Sequence, residues 1–167
     1  MAMTKPHYSA AEKNVINEGG NCVIKPQKLN IVWGNDERYW KIPKEDGKPA
    51  ELLQVSWLEV TGSVEGLRPG KGYNLTFEVK LTADAFGWKD IQVFLMAKVG
   101  KKGKYKWKKV KLEQGQKIES PDGKQLLSID VPNDTTDMNT LHFGLYEVWS
   151  GKWKGGLEIY NAKVTEA

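Results

Sequence analysis

The sequence predicts an all-β protein, an antiparallel β-sandwich of about eight strands with a few short helical turns. Residues 73–81 alternate apolar and polar side chains without a break, which is the period of a strand with one buried face. Turn-forming groups of Gly, Pro, Asn and Asp separate this run from the other apolar runs. No long stretch has the period of a helix, and this combination is typical of a sandwich or barrel.

Eight apolar runs are the predicted strands. They span residues 29–33, 53–64, 73–81, 91–99, 105–112, 126–131, 141–149 and 157–164. The turn signals between them lie at residues 68–70, 100–103, 121–123, 132–134 and 150–151. The apolar phase slips by one residue between Trp107 and Val110 and between Ile159 and Ala162, which predicts two β-bulges. Short helices are expected only at residues 9–17 and 49–53.

Length and composition limit the class of protein. The 167 residues predict a polar N-terminal arm over residues 1–20 and a single β-sandwich domain over residues 21–167. No apolar run approaches the ~18 residues of a membrane span, and residues 1–20 contain no apolar signal-peptide region. The lone Cys22 has no partner for an intrachain disulfide, which favours a reducing compartment, the cytosol or the nucleus.

The residue types also exclude several kinds of chemistry. One Cys with two His residues, His7 and His142, cannot assemble a Cys/His zinc site. No glycine cluster matches a phosphate-binding loop or a dinucleotide fingerprint, and no nucleophile elbow is present. We therefore expect neither a metal nor an organic cofactor.

Seven Trp residues are more than a core of this size needs, so some are expected at a functional surface. Residues 31–40 end a strand and then place Trp33, Asp36, Tyr39 and Trp40 in a short loop. Aromatic rings stack on the apolar face of a pyranose, while carboxylate and amide groups bind its hydroxyl groups. The alternative is that Trp33 is the last inward residue of its strand and that Trp40 anchors the loop to the core.

Residues 145–156 repeat this chemistry near the C-terminus with Glu147, Trp149 and Trp153 around a Ser-Gly turn. Glu147 falls on the apolar face of its strand, so it either meets solvent at the sheet's end or is buried and hydrogen-bonded. The alternative is a hairpin whose Trp residues cap the sandwich. Trp57, by contrast, lies in a dense apolar run and is predicted to be in the core. The two loops together predict one shallow cleft at one end of the sandwich, lined by Trp33, Tyr39, Trp40, Glu147 and Trp153.

Four ordered blocks carry a resemblance to a known family. They are residues 31–33 with 39–40, residues 51–62, residues 85–88, and residues 146–147 with 153–157. In this order they resemble the phloem protein 2 superfamily, the Nictaba-like plant lectins, from about residue 21 to residue 164. The resemblance implies a plant-defence lectin, not an enzyme, that binds N-acetylglucosamine oligomers such as chitin fragments and N-glycan cores. It also implies a cytoplasmic or nucleocytoplasmic location, including phloem sap, and a homodimer.

The resemblance assigns roles to individual residues. Trp33 and Trp40 match family Trp residues tied to sugar binding, and Glu147 matches an acidic residue near the C-terminal Trp. A second family acid falls on Thr140 in this sequence, which puts its contribution to affinity or specificity in doubt. Trp149 is not a general feature of the family.

Two other functions stay open from the residues alone. The segment 98–111 holds eight Lys with Tyr105 and Trp107 interleaved, which is typical either of an RNA-binding hairpin or of a solvated edge that discourages strand pairing. A glycoside hydrolase would need two carboxylates facing each other, such as Asp36 or Glu37 with Glu147. The family resemblance favours binding only.

Overall fold

The computed structural model describes most of the chain. The described residues are 7–10, 14–17, 19–45, 47–89, 91–100, 103–110, 112, 117–118, 127–132 and 140–167. The turn signals at 121–123 and 133–134, and Lys101, Lys102 and Lys111 of the lysine-rich segment, lie outside them.

The described residues form thirteen strands and one short 3-10 turn, Pro26–Lys28. The strands are β1 (Asn14–Val15), β2 (Asn21–Ile24), β3 (Asn30–Ile31), β4 (Trp40–Lys41), β5 (Ala50–Leu52), β6 (Leu58–Glu65), β7 (Gly72–Phe86), β8 (Val93–Val99), β9 (Lys106–Val110), β10 (Lys117–Ile118), β11 (Leu127–Asp130), β12 (Leu141–Glu147) and β13 (Gly155–Glu166). All eight predicted runs contain a strand. Within the described part of the chain, no helix is long and apolar enough to cross a membrane.

The strands form two sheets. The first sheet has the order β1-β6-β12-β8-β9, with β3 also paired with β6. The second has the order β10-β7-β13-β5-β4, with β11 also paired with β7 and β2 with β13. Among the described pairs, only β1 with β6 is parallel. The predicted antiparallel β-sandwich is confirmed.

The core lies between the inward faces of the sheets. β6 alternates buried and half-buried residues along its whole length, as a strand with one covered face must. Phe77 of β7 meets Phe143 of β12 edge to face, with ring centroids 5.8 Å apart, and so joins the two layers. Each fully buried Leu or Ile contributes about 1.5–3 kcal/mol relative to an exposed one. The side chains that can contact a ligand are therefore those of the outward faces and the loops.

Neither predicted helix is present in the described residues. In the segment 49–53, Ala50 and Leu52 are buried and Glu51 is exposed, so burial follows the two-residue period of β5. In the segment 9–17, Asn14 and Val15 form β1 beside β6. Pairing with neighbouring strands overrides weak local helix propensity in both places. The described residues 14–15 of the predicted N-terminal arm are thereby part of the first sheet.

One of the two predicted bulges is confirmed. The β13–β7 register shifts between Ile159 and Asn161. The β8–β9 pairing runs without a shift, so the bulge predicted between Trp107 and Val110 is wrong. The reason is that Trp107 is exposed, so its apolar side chain does not mark the inward phase of the strand. A further shift between Gly155 and Leu157 coincides with the positive φ of Gly156, +80°, which favours glycine.

The thiol of Cys22 in β2 is expected to react slowly in the native protein. It is buried, and this burial raises its pKa above the ordinary value. We therefore expect a thiol reagent to modify Cys22 much more slowly in the native protein than in urea, and the oligomeric state of the protein to be unchanged by reductant. Absorbance assays with an aromatic disulfide reagent measure the two rates. Equal rates, or a dimer that dissociates on reduction, would contradict this account.

Candidate functional site

The chain after β3 makes two consecutive turns that raise Trp33 and Tyr39 to the surface. The amide of Gly34 donates to the Ile31 carbonyl at 2.9 Å. The amide of Asp36 donates to the Trp33 carbonyl at 3.1 Å, and that of Tyr39 to the Asp36 carbonyl at 3.0 Å. The Trp33 and Tyr39 rings then meet edge to face, with centroids 5.8 Å apart. Satisfied turn hydrogen bonds therefore hold two aromatic rings in one place.

Trp33 is the one non-glycine residue with positive φ, +66°, among the described residues. The left-handed region crowds the Cβ of a bulky residue and costs about 1–3 kcal/mol. Its amide donates to Nδ1 of His7 at 3.0 Å, and the two rings meet with centroids 5.3 Å apart. The hydrogen bond and the ring contact with His7 thus hold Trp33 in its strained conformation, with the indole beside the Tyr39 ring.

Two other segments complete the surface. The amide of Leu53 donates to the Tyr39 carbonyl at 2.7 Å, and Val55 and Lys154 exchange both backbone hydrogen bonds at 2.9 Å. These contacts bring Trp153 beside Tyr39, with ring centroids 6.3 Å apart and planes 31° apart. The resulting hollow of about 100 Å³, called here the Tyr39 groove, is lined by Trp33, Tyr39, Val55, Ser56 and Trp153.

Trp40 lies in the core and does not line the Tyr39 groove. Its side chain is 1% exposed, whereas the adjacent Tyr39 is half-buried at the surface. Trp40 pairs with Leu52 in the β4–β5 ladder, and successive residues of a strand point to opposite faces. The expectation that Trp40 lines the cleft is therefore corrected, in favour of the alternative that Trp40 anchors the loop.

Asp36 does not line the Tyr39 groove but binds Arg38, which contacts the Tyr39 ring. Its carboxylate accepts hydrogen bonds from the Arg38 Nε at 3.0 Å and Nη2 at 2.7 Å, and these bonds hold the pKa of Asp36 below its usual range. The guanidinium carbon of Arg38 lies 5.1 Å from the centroid of the Tyr39 ring. Asp36 thus directs a cation over one edge of the Tyr39 ring.

Glu147 is buried, the second of the two possibilities that its sequence position left open. Its side chain is 1% exposed and its carboxylate accepts hydrogen bonds from the amides of Trp149, at 3.1 Å, and Ser150, at 3.4 Å. The Ser150 hydroxyl also donates to it. These contacts shape the turn after β12, so Glu147 organises the loop that carries both Trp149 and Trp153.

Lys154 is the counter-charge of Glu147. Its Nζ lies 3.6 Å from Glu147 Oε1 and donates to the carbonyls of Ser56 and Lys152, each at 3.0 Å. Its side chain is 0% exposed, and burial lowers the pKa of this ammonium group below its usual value. Among the described residues, no group of three or more His, Cys, Asp or Glu side chains is placed to hold a metal ion.

Trp149 points away from the Tyr39 groove. Its ring meets Phe94 of β8 edge to face, with centroids 4.9 Å apart, and Phe94 also meets Trp107 of β9 at 5.5 Å. The predicted single cleft therefore corresponds to two aromatic surfaces. Trp33, Tyr39 and Trp153 come together in one of them, Trp149 belongs to the other, and Glu147 lies beneath the loop between them.

The lysine-rich segment forms the predicted hairpin of β8 and β9, and β9 ends the strand order of the first sheet. Lys106 Nζ donates to the Ser128 carbonyl of the second sheet at 3.3 Å. Lys98 Nζ lies 4.8 Å from the centroid of the Tyr105 ring. These two lysines therefore have partners within the protein, and RNA binding stays a prediction.

The exposure of Trp57 and the surface position of Phe94 were not predicted. Trp57, expected in the core, is 46% exposed and donates from Nε1 to Glu59 Oε1 at 3.2 Å. Its segment is held by the Val55–Lys154 bridge before β6 begins at Leu58, so it is not part of the inward alternation. Phe94 could have been found, because strict alternation in β8 places it opposite the buried Val93 face.

The fold and the groove define an all-β sandwich protein whose surface loops present aromatic side chains. The family model described as "Phloem protein 2" matches residues 20–165 of the sequence. The chain therefore belongs to the phloem protein 2 family. It is 47% identical over 171 residues to Protein PHLOEM PROTEIN 2-LIKE A9 of Arabidopsis thaliana, covering 96% of this chain and 95% of that protein.

Two further comparisons cover a smaller share of this chain and of the other protein. The chain is 40% identical over 81 residues to a protein named "Lectin" from Luffa acutangula, which is 44% of this chain and 39% of that protein. Among solved structures, it is similar to the Podospora anserina GH26-CBM35 β-(1,4)-mannanase, with a TM-score of 0.47 and 9% identity, over 90% of this chain and 28% of that chain.

Proposed function

We propose that this protein is a lectin that binds N-acetylglucosamine oligomers in the Tyr39 groove without catalysis. The observation that carries the proposal is the contact of three aromatic rings, Trp33, Tyr39 and Trp153, at the surface of one groove. Membership of the phloem protein 2 family and the relative named "Lectin" support the class of ligand. The resemblance of the sequence to the Nictaba-like lectins supplies the choice of sugar.

The geometry of the groove suits a neutral sugar. The planes of the Tyr39 and Trp153 rings differ by only 31°, and both rings line the groove, so two aromatic side chains are available to pack on the apolar sides of a pyranose chain. Each aromatic contact is worth about 0.5–1.5 kcal/mol, which with the ordering costs implies micromolar to millimolar affinity. A longer oligomer covers more of the platform, so chitotriose is the probe of choice.

Of the three carboxylates considered for hydrolysis, two are occupied elsewhere and the third, Glu37, does not line the Tyr39 groove. Asp36 is bound to Arg38, and Glu147 is paired with Lys154 beneath the loop. Glycoside hydrolysis needs two carboxyl groups on either side of the scissile bond, and the described lining of the groove contains none. The proposal is therefore binding alone.

Trp153→Ala is expected to weaken chitotriose binding about tenfold, because it removes one stacking face and the ring beside Tyr39. Calorimetry on the variant and the wild type measures the change. Trp57→Ala is the matched control, since Trp57 is exposed to a similar extent but lies outside the groove. Equal affinity in Trp153→Ala and Trp57→Ala would remove the groove from the binding site.

Salt dependence separates this function from RNA binding. Sugar binding by stacking and hydrogen bonds changes little with salt, whereas each neutralised phosphate costs roughly a factor of ten in affinity per tenfold increase in salt.

We propose further that the protein acts in the cytoplasm, nucleus or phloem sap as a homodimer. Two modest sites on one particle raise avidity on a dense glycan surface without new contacts.

A further inference from the structure

The outward face of the first sheet carries a second group of aromatic residues. Met96 of β8 pairs with Trp107 of β9, and Phe94 pairs with Tyr146 of β12, so these side chains share one face. The loop after β12 adds Trp149 at the end of this face. We call the Phe94 surface the hollow of about 540 Å³ whose apolar lining includes Phe94, Met96, Trp107 and Trp149.

The two indoles of this surface are both exposed and held in place. Trp107 is 57% exposed and Trp149 is 61% exposed, and with Phe94 between them they form a contiguous exposed apolar patch, which is the kind of surface that marks a binding site. Each stands nearly perpendicular to the Phe94 ring, at 73° and 78°, so Phe94 supports both. A surface with fixed rings loses little conformational entropy when it binds a ligand.

Tyr146 extends the same face towards β6. Its ring lies over Gly144, where an added Cβ would approach the ring to 2.6 Å, so glycine is needed for the ring to lie flat. Burial, with Tyr105 and Glu59 nearby, raises the pKa of Tyr146 to about 12, so the phenol stays neutral. The phenol of Tyr146 therefore adds no charge to this end of the face, where Glu59 is its cross-strand neighbour.

We propose that the Phe94 surface is a second binding site for neutral sugar chains, so that one protein chain presents two glycan sites. The choice of N-acetylglucosamine oligomers for it rests on the proposed function of the Tyr39 groove. The aromatic rings supply stacking faces, and Gln92 supplies a polar side chain in the lining. A hollow of this size lies within the range of small-ligand sites.

Charge favours a neutral sugar over a nucleic acid. The one charged side chain in the described lining is Glu147, which is neutralised by Lys154, and no lysine lines the hollow. Lys109 is exposed opposite Phe94 in the β8–β9 ladder but is not part of this lining, and Lys98 already lies over the Tyr105 ring. An RNA site would need cations facing the phosphates beside the stacking rings, so the lining fits a ligand with apolar faces and hydroxyl groups better.

The loop between Glu147 and Lys154 links the two sites. It sends Trp149 to the Phe94 surface and Trp153 to the Tyr39 groove, and the buried ion pair holds both of its ends. A single protein chain would then cross-link two glycans even without dimerisation.

Indole N–H resonances in a nitrogen-15 NMR titration test the proposal site by site. With chitotriose, we expect the Trp107 and Trp149 resonances to shift along a binding curve of their own, separate from that of Trp33 and Trp153. Trp107→Ala is expected to weaken the Trp149 curve at least about fivefold, the loss of one stacking contact. Trp57→Ala is the control outside both surfaces, and circular dichroism checks that each variant is folded.

The outcomes keep the two proposals apart. Shifts at Trp107 and Trp149 that survive Trp153→Ala support the second site even if the Tyr39 groove fails to bind. Shifts confined to Trp33 and Trp153 at saturating chitotriose, or at chitohexaose, overturn the second site and leave the first intact. If an oligouridylate moves Trp107 and Trp149 with steep salt dependence and chitotriose does not, the neutral-sugar assignment is wrong.

Discussion

Glu147→Gln is expected to lower the free energy of unfolding by about 3–5 kcal/mol, because it leaves the buried ammonium group of Lys154 without its counter-charge. The substitution keeps the size of the side chain and one acceptor oxygen for the loop amides. Lys154 itself stays fully buried, with carbonyl partners only. The loss therefore comes from an unpaired charge and not from a cavity. Urea unfolding followed by Trp fluorescence measures it.

Two control variants test whether the buried, unpaired charge causes the loss of stability. Glu45→Gln breaks the Glu45–Lys48 pair, whose side chains are 76% and 68% exposed, and is expected to cost less than about 1 kcal/mol. The double variant Glu147→Gln with Lys154→Met removes both buried charges and is expected to recover much of the stability lost in the single variant. If Glu147→Gln is no more costly than Glu45→Gln, the buried pair does not hold the loop.

Trp33→Gly is expected to abolish chitotriose binding in the Tyr39 groove and yet to be about 1 kcal/mol more stable than Trp33→Ala. Both variants lose the indole that contacts His7 and Tyr39, so each loses the ring and the support of its neighbour. Only alanine keeps a Cβ in the left-handed conformation at φ +66°, where glycine has no steric penalty. The Trp153 indole resonance in the chitotriose titration measures binding in the groove, and thermal unfolding measures the stability.

The same pair of substitutions at Trp153 is the matched control. Trp153 is not among the described residues with positive φ, so there the alanine variant is expected to be at least as stable as the glycine variant. An identical order of stability at both positions would show that strain at Trp33 is not the cause. Retained chitotriose affinity at the Trp153 resonance in both Trp33 variants would exclude Trp33 from the groove's function.

Long strands were predictable because the side-chain period of a strand is built into its backbone. The alternation over 73–81 predicted most of β7, and the run at 141–149 predicted β12. Short strands were not predictable, since two or three residues carry no period. The segment 49–53 was therefore predicted as a helix, although β5 exists because β4 and β13 lie on either side of it.

The aromatic residues of the site were predictable as a group but not in their directions. Tyr39 and Trp40 are adjacent in the sequence and chemically alike for a sugar, yet one faces solvent and the other the core. Trp149 and Trp153 belong to one loop, yet contact Phe94 and Tyr39 on different surfaces. Which way each ring points depends on strand pairing and on the Glu147–Lys154 pair, and neither is a local property of the sequence.

The all-β class, the resemblance to the family, the two Trp-rich loops and the hairpin of β8 and β9 were predictable, because they depend on periodicity, turn residues and ordered motifs within the sequence. The tertiary structure decided that Trp40 is buried, that Trp57 is exposed, that Glu147 is an internal anion and that the aromatic residues form two surfaces. The physical reason is that burial and pairing depend on contacts between segments distant in the chain. Val55 with Lys154, and Met96 with Trp107, are such contacts.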